Sequence, residues 1–303
     1  MPITLPSITR RTLLGASLAA VIARDAISAE TRVDLHRLAL LSDVHIHADK
    51  AMQFSGALMW DTFQQAVNEI VALDPAPSAL IVNGDCAHFH GHLEDYATFL
   101  GGLTPLRNRG MPIHLSLGNH DNRENFLKAI KPPDTPAKDP NAPAVADRLV
   151  AVVPMERANL FLLDSLDRNG RMQGVLGEAQ LAWLAKMLDA RADKPAIVFV
   201  HHNPDARPAD KRTGLDDTDE LFKALAPRKH VKALVFGHTH VWNYSRRDGI
   251  HLINLPTTAW TFVPGMARGW VDLKLAEKGA TFELNSIDKQ HHLHGQKFEL
   301  AWR

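Results

Sequence analysis

The segment Leu38-Ala39-Leu40-Leu41-Ser42-Asp43-Val44-His45 joins an apolar run to an aspartate and a histidine. Short apolar runs of this kind predict buried strands, which need no polar group at their ends. Runs at 37–42, 79–83, 112–117, 195–200 and 231–236 are followed by Asp43 and His45, Asp85, Asn119, His201, and His238 and His240, respectively. Ligands bind at the carboxyl edge of an open α/β sheet, so these endings predict one convergent site.

The side chains at these endings are two carboxylates, four imidazoles and one amide, with no thiolate. This set suits divalent Fe, Mn, Zn or Co, and it argues against a closed structural zinc site built on cysteine. If one carboxylate is shared, the set can hold two ions about 3.5 to 4 Å apart, the separation used to hydrolyse phosphate esters. Two divalent ions offset by Asp43 and Asp85 leave a positive charge that attracts hydroxide and a phosphate oxyanion.

Five ordered motifs resemble those of the calcineurin-like metallophosphoesterases, whose pattern is DxH, GD, GNH with D or E, H, and GHxH. They are Asp43-Val44-His45, Gly84-Asp85, Gly118-Asn119-His120-Asp121, His201 and Gly237-His238-Thr239-His240. A downstream group is similar to the bacterial cyclic-nucleotide and glycerophosphodiester phosphodiesterase branch: Leu163-Asp164-Ser165, Gly174, Leu176 and Gln180-Leu181-x-Trp183-Leu184. The resemblance covers roughly residues 38–255.

The resemblance implies an α/β fold, the four-layer αββα sandwich of the metallophosphoesterase type. It also implies a hydrolase that cleaves a phosphodiester, or a phosphomonoester, by attack of a metal-bound hydroxide at a dinuclear centre. By the same resemblance, one ion is held by Asp43, His45 and His240, the other by Asn119, His201 and His238, and both by Asp85. A small phosphorylated substrate is the expected partner, but the sequence identifies neither that substrate nor the oligomeric state.

The histidine after the asparagine ligand, His120, is predicted to be the catalytic acid, because the family uses it to contact the phosphate and assist the leaving group. Asp121 is predicted to hold the tautomer of His120. The expected substrate-binding residues are Asn119, His120 and His202. In the family the metal ligand directly follows the strand, which favours His201 as the ligand over His202.

The segment Cys86-Ala87-His88-Phe89-His90-Gly91-His92 departs from the family pattern. Nucleases of the superfamily have a histidine at the position of His88, which is therefore a secondary catalytic candidate, whereas purple acid phosphatases have a tyrosine ligand there. His47, His90 and His92 are predicted to be solvated. Alternatives that remain open are a nuclease-like or phosphonate-ester hydrolase, and an exported non-catalytic metal- or phosphate-binding protein. Mere binding would not require His120.

Residues 1–30 are predicted to be a twin-arginine signal peptide, and residues 31–303 to form the metallophosphoesterase domain. Thr9-Arg10-Arg11-Thr12-Leu13-Leu14 resembles the twin-arginine signal, and the apolar stretch at 13–23 is too brief to span a bilayer. Export through the twin-arginine translocase to the periplasm, or otherwise out of the cytoplasm, is expected. The alternative is a basic amphipathic N-terminus.

Charge and cysteine content argue against a nucleic-acid-binding protein and against a fold held by disulfides. The chain has 34 basic and 34 acidic side chains, so no electrostatic footprint for nucleic acid is apparent, and no stable nucleic-acid partner is expected. Its one cysteine, Cys86, permits no intrachain disulfide and is predicted to be a small buried thiol.

Periodicity predicts helices at 56–73, 93–100, 178–188 and 217–225. Asp216 or Asp217 is the predicted N-cap of the last helix, ahead of Glu220. Strands predicted at 250–255, 269–275 and 280–285 are assigned together to the second sheet. The proline-rich stretch 131–143 is predicted to be an irregular loop, either a wall of the substrate pocket or plain surface. Gly84, Gly118 and Gly237 are expected to provide positive φ or close backbone approach.

Overall fold

The computed structural model describes residues 3–5, 31–130 and 145–302. The strands are β1 Ile3–Leu5, β2 Val33–Leu41, β3 Gln53–Phe54, β4 Ala57–Leu58, β5 Ala76–Asn83, β6 Ile113–Ser116, β7 Ala151–Pro154, β8 Asn159–Leu162, β9 Ala196–Phe199, β10 Val231–Phe236, β11 Asn243–Arg247, β12 Ile250–Asn254, β13 Gly269–Ala276, β14 Gly279–Ser286 and β15 Lys297–Ala301. The helices are α1 Met59–Val71, α2 Leu93–Gly102, α3 Thr104–Asn108, α4 Arg123–Ala129, α5 Glu178–Asp189 and α6 Thr218–Leu225, with a 3₁₀ turn at Ala209–Lys211.

Two sheets form the centre of the molecule. One has seven strands in the order β1-β6-β5-β2-β13-β14-β15, and the other has six in the order β11-β12-β10-β9-β8-β7. Apolar side chains from both sheets, among them Leu40, Ile81, Phe199 and Val235, pack into one cluster between them. The alternation along β2 explains this packing, because Leu38 and Leu40 face that cluster while Ala39 and Leu41 face the other side of the sheet.

Helices cover the outer face of each sheet. The buried residues of α1 include Phe63, Ala66, Val67 and Ile70, a spacing that puts all four on one helix face against the first sheet. Full burial of a side chain such as Phe63 contributes about 1.5 to 3 kcal/mol. Helices α5 and α6 pack in the same way on the second sheet. The predicted α/β fold with four αββα layers is confirmed.

The parallel strands of the two sheets end at the same edge. In the first sheet β2, β5 and β6 are parallel neighbours, and in the second sheet β8, β9, β10 and β12 are. The loops that leave β2, β5, β6, β9 and β10 carry the predicted ligands, so the fold brings all five motifs to one edge. In the described part of the chain, no helix is both long and apolar enough to cross a membrane.

One detail of the predicted organisation is wrong, one holds only in part, and several short elements were missed. The three late strands do not form one sheet, because β12 is parallel to β10 in the six-stranded sheet whereas β13 pairs with β2 in the other. Asp217 is at the N-cap of α6 but does not cap it, since its carboxylate accepts from the N–H groups of Leu176 and Gly177. Several short elements, including β7, β8, α3 and α4, were not predicted.

Two other predictions fall largely or wholly outside the described residues. They are the irregular loop at 131–143 and the signal peptide at 1–30, within which only the backbone of β1 is described; β1 pairs antiparallel with β6. Both stay predictions.

Candidate metal centre

Six of the seven predicted ligands come together in two neighbouring groups of donor atoms. In one, Asp43, His45 and His240 have donor atoms within 4.8 Å of one another, and in the other Asp85, His201 and His238 do. His45, Asp85 and His120 form a third group that joins them. The ligands at 43, 45, 85, 201, 238 and 240 are all buried, with 7 % exposure or less. The edge of the sandwich therefore encloses one polar centre.

Five of these residues have a backbone conformation that is uncommon for anything but glycine. The φ angles are 51° at Asp43, 47° at His45, 49° at Asp85, 67° at His238 and 55° at His240. Left-handed φ at residues with a side chain is costly and persists where surrounding contacts enforce it, often at functional sites. Such contacts are present here, because Asp43 N–H donates to the Gly84 carbonyl at 3.2 Å and His45 N–H donates to the Asp85 carbonyl at 2.9 Å.

The glycines before the ligands give the backbone room to come close. Gly84 has φ 85°. Gly118 and Gly237 are not in the positive-φ region, but a Cβ at Gly118 would overlap the Asp85 carboxylate, and one at Gly237 would overlap Asp43. The expectation of positive φ thus holds only for Gly84, and close approach explains the other two.

Three imidazoles are oriented by backbone carbonyls. His240 Nδ1 lies 2.5 Å from the Trp260 carbonyl oxygen and His201 Nδ1 lies 2.9 Å from that of Asn83. His238 uses its other nitrogen, Nε2, which lies 2.8 Å from the Thr213 carbonyl oxygen. A carbonyl only accepts, so each of these nitrogens carries a proton, and the opposite ring nitrogen is the one left for a metal ion. This is the arrangement that fixes a metal-binding histidine.

The distances between donor atoms suit shared cations. His45 Nε2 is 3.2 Å from His240 Nε2, and His240 Nε2 is 3.3 Å from Asp43 Oδ1. His201 Nε2 is 3.3 Å from Asp85 Oδ2, and His45 Nε2 is 3.6 Å from the same oxygen. Ligands bound to one zinc-like ion at the usual bond lengths are about 3.3 Å apart in a tetrahedron. Asp85 contacts members of both groups, as a bridging carboxylate would.

The surroundings of Asn119 test further whether the donor set fits a metal ion. The residue is 1 % exposed, and neither its side-chain oxygen nor its nitrogen has a hydrogen-bond partner among the residues that the structure describes. Burial of an amide without partners is costly. Ligation of a cation by Oδ1 would remove part of that cost, and with this amide the donor set fits two divalent ions.

The electrostatics of the centre favour bound cations. Burial alone would raise the pKa of Asp43, but His240 and His201 lower it to about 2. Burial acts to lower the pKa of His201, yet the carboxylates of Asp85 and Asp43 outweigh it and raise that pKa to about 10. Burial lowers the pKa of His238 to about 4 and that of His45 well below its usual range. Ionised Asp43 and Asp85 thus face neutral rings at His45 and His238 and a protonated ring at His201, whose proton a cation would replace.

His120 lies at the junction of the two groups. Its backbone N–H donates to Asp85 Oδ1 at 2.9 Å, and its ring Nδ1 lies 3.3 Å from the Phe89 carbonyl oxygen. The predicted contact between Asp121 and the His120 ring is wrong. Asp121 is turned inward, where its carboxylate accepts from the N–H groups of Cys86, Ala87 and Gly118 and from the hydroxyl of Tyr96. Phe89 therefore takes the orienting role, and Asp121 ties together the loops that carry the ligands.

His202 and His88 adjoin the donor groups without joining them. The His202 ring lies 4.7 Å from that of His238, and its Nδ1 is 2.7 Å from the Ser165 hydroxyl, while its buried Nε2 has no hydrogen-bond partner in the described ranges. The His88 ring packs 4.1 Å from Phe89 and 5.7 Å from His47. His90 and His92 are exposed, as predicted.

The thiol of Cys86 is buried, as expected, and burial raises its pKa well above the ordinary value, so it is not a nucleophile at neutral pH.

Several supporting residues were not found from the sequence. The Thr213 carbonyl that orients His238 is held by Asp205, whose carboxylate accepts from the N–H groups of Thr213 and Gly214 at 3.0 and 3.1 Å. Trp260 both supplies a carbonyl to His240 and packs its ring 4.2 Å from that of His45. These roles depend mainly on backbone atoms, and every residue type has the same backbone atoms, so the sequence does not indicate them.

The fold and the donor groups define a centre built for divalent cations at the edge of an α/β sandwich. The sequence profile of the calcineurin-like phosphoesterases matches residues 36–242, and the chain belongs to this family. The predicted class, a hydrolase acting on phosphate esters, is thereby confirmed.

Individual relatives agree with this assignment. The chain is 27 % identical over 252 residues to the 3′,5′-cyclic adenosine monophosphate phosphodiesterase CpdA of Pseudomonas aeruginosa, covering 80 % of this chain and 86 % of that one. It is 26 % identical over 217 residues to the probable glycerophosphodiester phosphodiesterase GpdQ of Arcobacter nitrofigilis, covering 67 % and 73 %. A dimetal phosphatase from Danio rerio has the same fold, with a TM-score of 0.66, 14 % identity and coverage of 89 % and 99 %.

Proposed function

We propose that the chain is an exported dinuclear phosphoesterase that hydrolyses phosphodiesters in preference to monoesters. The main support for a dinuclear centre is the orientation of His201, His238 and His240. Each ring has one nitrogen committed to a backbone carbonyl, which leaves the other for a metal ion in a group that contains Asp43 or Asp85. These rings, with Asp43 and Asp85, would hold the two metal ions.

The bound cations would supply Lewis acidity, polarising a phosphate oxygen and lowering the pKa of water to near neutrality. The protein residues supply the rest. Asn119 would use Oδ1 as a ligand and keep its amide N–H groups for a phosphate oxygen. His120, oriented through Nδ1 by Phe89, would present Nε2 to the leaving oxygen. The unpartnered Nε2 of His202 supports the proposal that this residue also contacts the substrate.

The preference for diesters rests on the relatives and on the downstream motif. Both CpdA and GpdQ are named as phosphodiesterases. Gln180 of the motif is buried, accepts from Asp164 N–H and donates to the carbonyl oxygens of Asp164 and Leu176. It therefore secures the turn after β8 rather than touching a substrate. The motif supports membership of this branch, and a cyclic nucleotide or a glycerophosphodiester would present the same group to the centre.

The test uses two substrates with the same leaving group. Purified full-length chain is stripped of metal, reloaded separately with Fe, Mn, Zn or Co, and assayed with bis-p-nitrophenyl phosphate and p-nitrophenyl phosphate. We expect two metal ions per chain and a higher kcat/KM for the diester. Full metal loading without turnover of either ester would favour the non-catalytic binding protein, and a preference for the monoester would make the enzyme a phosphatase.

Export is the second part of the proposal, and it rests on the sequence Thr9-Arg10-Arg11-Thr12-Leu13-Leu14. Paired arginines act as an address that the translocase reads. Replacement of Arg10 and Arg11 together by Lys should leave activity intact but confine it to the cytoplasm, as measured by cell fractionation. Delivery of the double variant to the periplasm at the wild-type level would refute the twin-arginine proposal.

A further inference from the structure

An exposed phenylalanine lies beside the metal centre. Phe262 is 61 % exposed, more than any other large apolar side chain in the described parts of the chain, and its neighbour Val263 is 44 % exposed. One face of the Phe262 ring is stacked on His240, with ring centres 4.3 Å apart and an interplanar angle of 26°. An apolar ring left open to water on a loop loses the benefit of burial. Its position on a predicted metal ligand suggests that a substrate covers it.

Other aromatic side chains pack around Phe262 and the neighbouring predicted ligands. Trp260 is buried, with its ring 6.3 Å from that of Phe262 and 4.2 Å from that of His45. The Phe54 ring packs 4.6 Å from that of Trp260. A phosphodiester held at the donor group of His45 and His240 has two ester arms. Because Phe262 stacks on His240, one arm of a diester bound at that group would lie beside the open face of the Phe262 ring.

We propose that Phe262 is a specificity-determining residue that binds an aromatic ring carried by one arm of a phosphodiester. The inference rests on the proposed function and adds to it a class of substrate, namely diesters with a nucleobase or another planar ring. Stacking between aromatic side chains and planar bases tolerates different rings, because every such ring has a π-face. Loss of one stacking contact weakens binding by roughly five- to 150-fold.

The experiment compares a diester that has rings with one that has none. Bis-p-nitrophenyl phosphate and glycerophosphoethanolamine are assayed with wild type, Phe262→Ala, Phe262→Leu and Phe262→Trp, with metal content measured for each. The control variant is Leu35→Ala. Leu35 is 59 % exposed and lies on β2 eight residues before Asp43, about 26 Å away along an extended strand. It matches the exposure of Phe262 without adjoining the centre.

The expected result is selective. Phe262→Ala and Phe262→Leu should lower kcat/KM for bis-p-nitrophenyl phosphate by roughly tenfold, mainly through KM, while glycerophosphoethanolamine changes by less than about twofold. Phe262→Trp should retain the wild-type ratio, and Leu35→Ala should change neither substrate. Equal losses on both substrates, or loss of metal from Phe262→Ala, would overturn the inference and show that the ring only shields His240. Failure of wild type to hydrolyse either diester would instead refute the proposed function.

Discussion

Replacement of His120 by alanine tests the chemistry of the centre most directly. The ring has a nitrogen within 4.8 Å of donor atoms of His45 and Asp85, so it faces the place where a phosphate would lie. The interaction of residue 120 with Asp85 comes from its backbone N–H, which alanine retains. We therefore expect His120→Ala to keep both metal ions. Because Nδ1–H is held by the Phe89 carbonyl, Nε2 can donate a proton only from the cationic ring.

The magnitude follows from the need of the leaving oxygen for a proton. General acid assistance contributes roughly 10² to 10⁴ in rate, equivalent to about 3 to 5 kcal/mol of barrier. An alkoxide leaving group requires that assistance, whereas p-nitrophenolate does not. For His120→Ala, kcat/KM for glycerophosphoethanolamine should fall by roughly 10² to 10⁴ and that for bis-p-nitrophenyl phosphate by less than about tenfold.

The assay measures kcat/KM for both substrates in wild type and variant at matched metal content. His90→Ala is the control, because His90 belongs to the same histidine-rich segment and is exposed. It should leave both values unchanged. If His120→Ala lost activity equally on the two substrates, the ring would position the phosphate or stabilise its charge, and the assignment as catalytic acid would be wrong.

Three further predictions concern charge. Asp85→Asn should reduce metal content at both positions, since this carboxylate lies near imidazoles of both groups; two ions per chain by elemental analysis would contradict the bridge. The pKa of His201 is raised to about 10, so below that pH a metal ion must displace a proton from the ring. The affinity for the metal ion should therefore rise with pH by up to about tenfold per pH unit. Calorimetry in buffers of different ionisation enthalpy should show less proton release for His201→Ala. Asp272→Asn leaves the Arg37 guanidinium, 12 % exposed, without its paired carboxylate and should cost about 3 kcal/mol in urea unfolding, whereas Asp74→Asn in an exposed pair should have little effect.

The convergence of the predicted ligands could be foreseen because each side chain comes at the end of an apolar run, and parallel strands bring such ends to one edge. The assignment of late strands to sheets was not predictable. Both sheets bury one face in a shared core, so β12 and β13 have similar apolar patterns although they belong to different sheets. Pairing partners are chosen by tertiary packing, which a local pattern does not encode.

The orienting contacts were harder to predict for a different reason. The carbonyl groups of Asn83, Thr213 and Trp260 fix three imidazoles, but every residue type has a carbonyl, so the sequence carries no mark of them. For Asp121, by contrast, the sequence led to a wrong prediction of its partner. It follows His120 directly, yet adjacent side chains in a tight turn diverge, and its carboxylate meets N–H groups of other loops.

The left-handed backbone of the predicted ligands shows why the positions of glycine do not identify all of the strained residues. Glycine adopts positive φ most easily, but it has no side chain with which to bind a metal ion. Where the strained position must also supply the ligand, as at Asp43 and Asp85, an aspartate or histidine takes the left-handed conformation. The preceding glycine, such as Gly237, instead gives room for another loop to approach. Backbone hydrogen bonds between the loops, such as those from Asp43 N–H to the Gly84 carbonyl and from His45 N–H to the Asp85 carbonyl, hold these positions in place.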